Sequence, residues 1–320
     1  MGQHYVDLSC TSITPECPVV NTIYGYYPSL PLNAFFVAFF SVFAIKNAIY
    51  GIYFKTYFFA YVMTVGCISE AIGYGGRIMM HKNPFDEIGF RMQISCLIFA
   101  PAFVNAAIYI TLKHIVMFFG TAKSRLAPGW YTWIFITCDF TSLMLQAVGG
   151  GLAGGAGQDA ALRAKGTNTM LAGIVFQVAT LIIFGYLALE YVVRTRRSWG
   201  TVSPGARKFA QKTSFKLFAA GIVIAFVTIF TRCVYRIAEI VGGWANPIMR
   251  NEVEYVVLEG FMIVISTLAL TTFHPGYCFP FIGNVHRYQL EAIESIPERT
   301  PRTHFRDRMR KKEQEHITAL

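Results

Sequence analysis

Residues 218–243 read FAAGIVIAFVTIFTRCVYRIAEIVGG. The first half is an unbroken apolar run. The second half sets Arg232, Tyr235, Arg236 and Glu239 three and four residues apart, which places them on one face of a helix. About 20 apolar residues cross a bilayer as a helix, so the segment reads as one span. Ionisable groups in such a span are expensive unless they face the bundle interior and find partners.

The rest of the chain agrees with a membrane setting. Of 320 residues, 54% are hydrophobic and only 14% charged, with a mean hydropathy of +0.44. A soluble chain of this length needs more polar surface. The apolar runs are continuous rather than alternating, which argues against a transmembrane β-barrel. Seven helical spans are expected at 32–53, 57–79, 90–114, 129–151, 168–193, 213–240 and 252–273. The fold class is therefore all-α, a polytopic bundle of seven transmembrane helices. The division is a 1–31 N-terminal segment, a 32–273 membrane domain and a 274–320 tail.

Lysine and arginine set the expected orientation. With the N-terminus outside, twenty of the 28 fall on the cytoplasmic side, including Arg194, Arg196, Arg197, Arg207, Lys208, Lys212 and Lys216 after span five. Five fall outside: Lys82, Arg91, Arg163, Lys165 and Arg250. That asymmetry predicts an extracellular N-terminus and a cytoplasmic C-terminus. The net charge of +10 is then met by anionic lipid, with no call for nucleic acid. The tail stretch HFRDRMRKKEQEH, 304–316, reads as a solvated or membrane-surface helix. The N-terminal segment lacks a basic start followed by an apolar core, so no cleavable signal is expected and the first span directs insertion.

Cys67, Cys96, Cys138 and Cys233 lie in apolar runs and read as small buried hydrophobes. Cys10 and Cys17 lie in the polar N-terminal segment. They are a disulfide if that segment is extracellular, or two free thiols. No Cys/His spacing suits a metal, and no cofactor is indicated. The glycine run at 149–157 lacks the Gly-Lys-Ser/Thr end of a phosphate loop and reads as close helix packing passing into a loop. Pro101, inside span three, is expected to loosen that helix and free a carbonyl.

The other spans carry polar stripes of their own. Span two has Glu70 and Arg77. Span four has Asp139, Ser142 and Gln146. Span seven has Glu252, Tyr255, Glu259 and Met262, and spans three and five add Asn105, Tyr109 and Gln177. Stripes on several helices are what a polar cavity between them requires. Five acids (Glu70, Asp139, Glu239, Glu252, Glu259) face three arginines (Arg77, Arg232, Arg236). If all ionise, two negative charges remain, which suits a cationic ligand or protonated acids. The competing account is a set of interhelical ion pairs that only hold the bundle together.

The ordered motifs resemble the fungal RTA-like, or lipid-translocating exporter, family. They are ExxGYxxR at 70–77, APxxxxAxxY at 100–109, DxxSxxxQxxGGG at 139–151, GxxxQ at 173–177, RxxYRxxExxxG at 232–243, ExxYxxxExxM at 252–262 and HPG at 274–276. Glu259 departs from the Asp expected there, which keeps the charge on a longer arm. The resemblance implies a seven-span fungal plasma-membrane protein. It implies export of sphingoid long-chain bases and resistance to toxic cationic amphiphiles, with one branch linked to porphyrin or haem. Substrate contacts are expected from Glu70, Arg77, Asp139, Gln146, Gln177, Arg232, Tyr235, Arg236, Glu239, Tyr255 and Glu259. Glu259 and Asp139 are the first candidates for the headgroup, with membrane lipids as partners. A lipid receptor is the main alternative, and an enzyme is not expected.

Overall fold

The computed structural model describes residues 10, 12–157, 159–243 and 246–279. The chain divides into two units, 1–283 and 284–320. The second, with the expected tail helix, lies outside the described residues.

All regular structure among the described residues is helical, and seven helical segments are long and apolar enough to span a membrane. The first five are α1 (Leu30–Tyr53), α2 (Tyr57–Lys82), α3 (Glu87–Phe119), α4 (Pro128–Gly155) and α5 (Ala160–Arg197). A short α6 (Pro204–Ala210) leads into α7 (Thr213–Val241). The seventh span is composite: α8 (Glu252–Tyr255), a π-helical segment (Val256–Phe261) and α9 (Met262–Thr272), followed by α10 (Pro275–Cys278). The expected spans fall on these helices and are shorter at most ends, because the helices continue past the apolar core.

Local sequence explains several starts. Asp86 caps α3 by accepting from the Ile88 amide at 3.1 Å, and Asp159 caps α5 from the Ala161 and Leu162 amides at 2.9 and 3.0 Å. Proline opens α4 and α6, where its missing N–H has no partner to lose.

Sequential helices pack side by side, and α9 returns against α7 and α1. Helix α3 is the most buried span and also touches α7 and α9. The outer surface is apolar, with Ile49, Ile183 and Val223 exposed on α1, α5 and α7. The glycine run stays helical to Gly155 and passes into the loop only at its last two residues, where Gly157 turns with a positive φ of 53°. Only part of the run makes the close approach. A Cβ on Gly149 would collide with the Met170 amide nitrogen of α5, whereas Gly151, Gly154 and Gly155 face open space. Cys67 and Cys233 are buried, but Cys96 and Cys138 are only partly so.

The described part of the N-terminal segment packs against the bundle. Cys10 and Cys17 are joined by a disulfide. Beyond it, Tyr24 packs with Met80 and Met249 over one end of the bundle. The Tyr24 hydroxyl accepts from Gln93 at 2.8 Å. The Ser29 amide donates to Glu252 at 2.6 Å, and the Arg250 guanidinium donates to the Val20 carbonyl at 3.0 Å. The segment is therefore a plug seated on α2, α3 and the start of the seventh span.

Candidate functional site

The polar stripes meet inside the bundle, but they form separate groups. The largest is centred on Arg232 of α7. Its Nη1 donates to Glu70 of α2 at 2.7 Å, and its Nη2 donates to Glu259 at 2.8 Å and to the Leu97 carbonyl of α3 at 2.9 Å. That carbonyl is free because Pro101 stands four residues on, where a helical N–H would otherwise bond it. The proline thus supplies a backbone ligand to a buried arginine. Arg236, one turn along α7, lies 3.1 Å from Glu259 and 3.0 Å from Glu239. Glu70, Arg232, Glu259, Arg236 and Glu239 form one continuous chain of charges drawn from three helices.

Four of the five members of this chain are shut off from solvent, and Arg236 is partly exposed. Glu70, Arg232, Glu239 and Glu259 are each at most 1% exposed. Where stripes alone suggested an open cavity, the structure has a closed network. Glu259 lies in the π-helical segment. π turns appear mostly as single irregularities within helices and often at functional positions. Glu70 Oε2, Glu259 Oε2 and Arg232 Nε have no hydrogen-bond partner, nor does the nearby buried Tyr74 hydroxyl. Buried polar atoms rarely stay unsatisfied, so the network has spare capacity for water or a polar ligand.

Arg77 does not pair with Glu70, despite sharing its helix face. Seven residues of helix separate them by about 10 Å, and Arg77 belongs to the plug. Its Nη2 donates to the Tyr26 hydroxyl at 3.1 Å, and its guanidinium lies 3.9 Å from the centre of the Tyr255 ring. Glu252 is 3.9 Å away. Burial pushes the Tyr24 and Tyr26 phenols above their ordinary range, with the Arg77 charge acting in the opposite sense. Both therefore stay neutral hydroxyls, and Arg77 is stabilised by ring faces and dipoles more than by a full countercharge.

Asp139 stands apart from every arginine network described. It accepts from the Tyr109 hydroxyl at 3.0 Å and from the Asn105 amide at 3.4 Å. Neither Arg232 nor Arg236 is paired with it: α4 packs on α3 and α5, whereas these arginines lie on α7 and reach Glu70 of α2 and Glu259 of the seventh span. Gln146 and Gln177 bond each other at 3.1 Å across α4 and α5. Tyr235 is buried, and its hydroxyl has no partner.

Sequence reasoning missed three contributors. Gln93 holds the plug. Asn47 of α1 and Thr271 of α9 bond reciprocally at 3.0 and 3.2 Å. The Leu97 carbonyl is the third, and Pro101 was its only signal. His274 is packed among Tyr50, Phe54 and Phe59, and its ring accepts from the Gly276 amide at 3.0 Å, so it serves as the cap of α10.

Similarity to known proteins agrees with this architecture. The family model described as "RTA1 like protein" matches residues 63–281. A Saccharomyces cerevisiae protein named sphingoid long-chain base transporter RSB1 is 31% identical over 287 residues, covering 81% of this chain and 75% of its own. Protoporphyrin uptake protein 1 of the same yeast is 28% identical over 224 residues, covering 69% and 68%. Protein RTM1 of that yeast is 27% identical over 221 residues, covering 69% and 66%. No solved structure matches the chain. An integral, multi-pass membrane protein with seven spans and these relatives is placed without ambiguity, and the chain belongs to the RTA1-like protein family.

Proposed function

We propose that the chain moves long-chain amphiphiles, sphingoid-type bases foremost, across the membrane it spans, and performs no covalent chemistry on them. The observation that carries this reading is the charge network of Glu70, Arg232, Glu259, Arg236 and Glu239, buried within a bundle whose outer surface is apolar. Helices in lipid can associate through small residues and packing alone. Ionisable groups at such depth ordinarily mark a path for something polar. A headgroup would pass among these groups while its chain remains in the bilayer. The excess of acids over arginines favours a cationic headgroup, and the name of the yeast relative at 31% identity supports the same substrate class.

The finer parts of the reading are outward movement at a plasma membrane, resistance to toxic amphiphiles, an extracellular N-terminus and a cytoplasmic tail. They rest on the distribution of Lys and Arg and on the family resemblance. The closed network is one conformation of a cycle. Tyr24 and Tyr26 seal it at the N-terminal end, so passage requires the plug to lift there.

The test is reconstitution of the full chain into liposomes with a fluorescent sphingoid base and a fluorescent phospholipid measured side by side. The expected result is faster translocation of the base than of the phospholipid, relative to protein-free vesicles. Binding of the base without movement would make the chain a receptor and overturn the reading. Protoporphyrin serves as a third probe, because a relative at 28% identity is named for its uptake.

A further inference from the structure

The structure holds two buried acidic groups with different partners. Glu70, Glu239 and Glu259 each lie against an arginine at 3.1 Å or less. A cation arriving there meets Arg232 and Arg236 as well as the acids. Asp139 is different. It is 3% exposed, and its two hydrogen-bond donors, Tyr109 and Asn105, are both neutral.

The groups around Asp139 are short of donors. Asp139 Oδ1 is buried without a partner, and so is Asn105 Oδ1 on the facing helix. Asn105 is only 1% exposed, and its amide nitrogen is already turned to Asp139. Two free acceptor oxygens on adjacent helices call for a group that brings N–H donors and, beside a carboxylate, positive charge. Aromatic rings complete the surroundings. Tyr109, Phe135 and Phe184 form a triangle with centroids 5.5, 4.5 and 5.1 Å apart. Ring faces favour a cation and shelter an alkyl stem. Phe140, the next residue of α4, is 59% exposed.

We infer that Asp139, with Asn105 and the ring of Tyr109, is the resting site that holds the primary ammonium of a long-chain amine, apart from the Arg232 network through which the headgroup passes. The inference rests on the amphiphile reading above and sharpens it, since it moves the ammonium away from Glu259. A primary ammonium donates to Asp139 Oδ1 and Asn105 Oδ1 and keeps its third N–H for the phenolic oxygen of Tyr109. An N-acylated amine of the same chain length has one N–H and no charge, and it satisfies neither requirement.

The experiment is equilibrium binding of radiolabelled sphinganine and N-acetylsphinganine to the purified full chain in phosphatidylcholine nanodiscs. Wild type should prefer sphinganine by at least about tenfold. Asp139→Asn keeps the shape and the bond from Tyr109. It should lose at least about tenfold in sphinganine affinity while N-acetylsphinganine binding stays unchanged. Should Asp139→Asn fail to fold, Asn105→Leu, which removes the second free oxygen, should weaken sphinganine binding selectively in the same assay. If wild type prefers sphinganine and both variants bind it equally well, the ammonium is held elsewhere and this assignment alone falls. If wild type shows no preference, the assignment falls together with the cationic-substrate reading. Equal loss of both ligands in the variants would mean that Asp139 shapes the bundle, and would also overturn the proposal.

Discussion

The Arg232 network and the Asp139 site are both buried and polar, yet they are built in opposite ways. Arg232 bonds two carboxylates and a backbone carbonyl, so a buried charge is stabilised wholly by the protein. Asp139 has two neutral donors and one bare oxygen. The first arrangement ties three helices together through paired charges, even though Glu70 Oε2, Glu259 Oε2 and Arg232 Nε are unbonded. The second is left open toward a ligand. Polar residues at helical spacing can thus be of two kinds, and pairing distinguishes them where spacing cannot.

That contrast can be broken most forcefully at Arg232. Arg232→Ala leaves Glu70 and Glu259 without their shared partner. Removal of one member of a buried ion pair destabilises by about 3–5 kcal/mol. The variant should show a sharp fall in folded yield and in thermal stability measured in detergent, whereas Asp139→Asn should change stability by no more than about 1 kcal/mol. Similar losses in the two variants would erase the distinction.

A smaller effect is expected at Pro101. Proline in a helix interior costs about 3 kcal/mol, so Pro101→Ala would ordinarily stabilise α3. Here the new amide reclaims the Leu97 carbonyl and takes a charged hydrogen bond worth about 1.5–3 kcal/mol from Arg232. The net gain in unfolding free energy should therefore stay well under 3 kcal/mol, with slower translocation in liposomes. Recovery of the full gain would show that Arg232 does not depend on the proline. The smallest effect on sphinganine binding belongs to Tyr109→Phe, which removes one hydrogen bond to Asp139. It keeps the aromatic ring but not its oxygen, so sphinganine binding should weaken less than in Asp139→Asn.

The spans were legible because 20-residue apolar runs have few alternatives in a chain of this composition. The polar stripes were legible too, since helical spacing fixes which residues share a face. Partner choice was not. Glu70, Glu239 and Glu259 were all possible partners of Arg232, but which of them it meets depends on how far the helices are shifted along one another, and no local signal encodes that shift. The plug was hidden for a related reason. Its prolines and polar residues read as a loose segment, although the stretch YGYY at 24–27 carried the hint that rings would be buried. The bond from Arg232 to Leu97 needed both a proline and a distant arginine, and only the proline was visible.

The π-helical segment at Val256–Phe261 gives the seventh span a built-in gear. A π turn holds one residue more than the α turn it interrupts. Rewinding it to α would hand that residue on to a neighbouring turn, turning part of the helix by about 100° and advancing it by about 1.5 Å. Glu259 lies within the segment, so such a step would swing its carboxylate off Arg232 and Arg236. Gly260 bears directly on Phe36 of α1, where a Cβ would come within 2.6 Å of the ring, so that ring acts as the detent. The span would then unlock by ratcheting one residue, with the other six helices serving as a fixed housing.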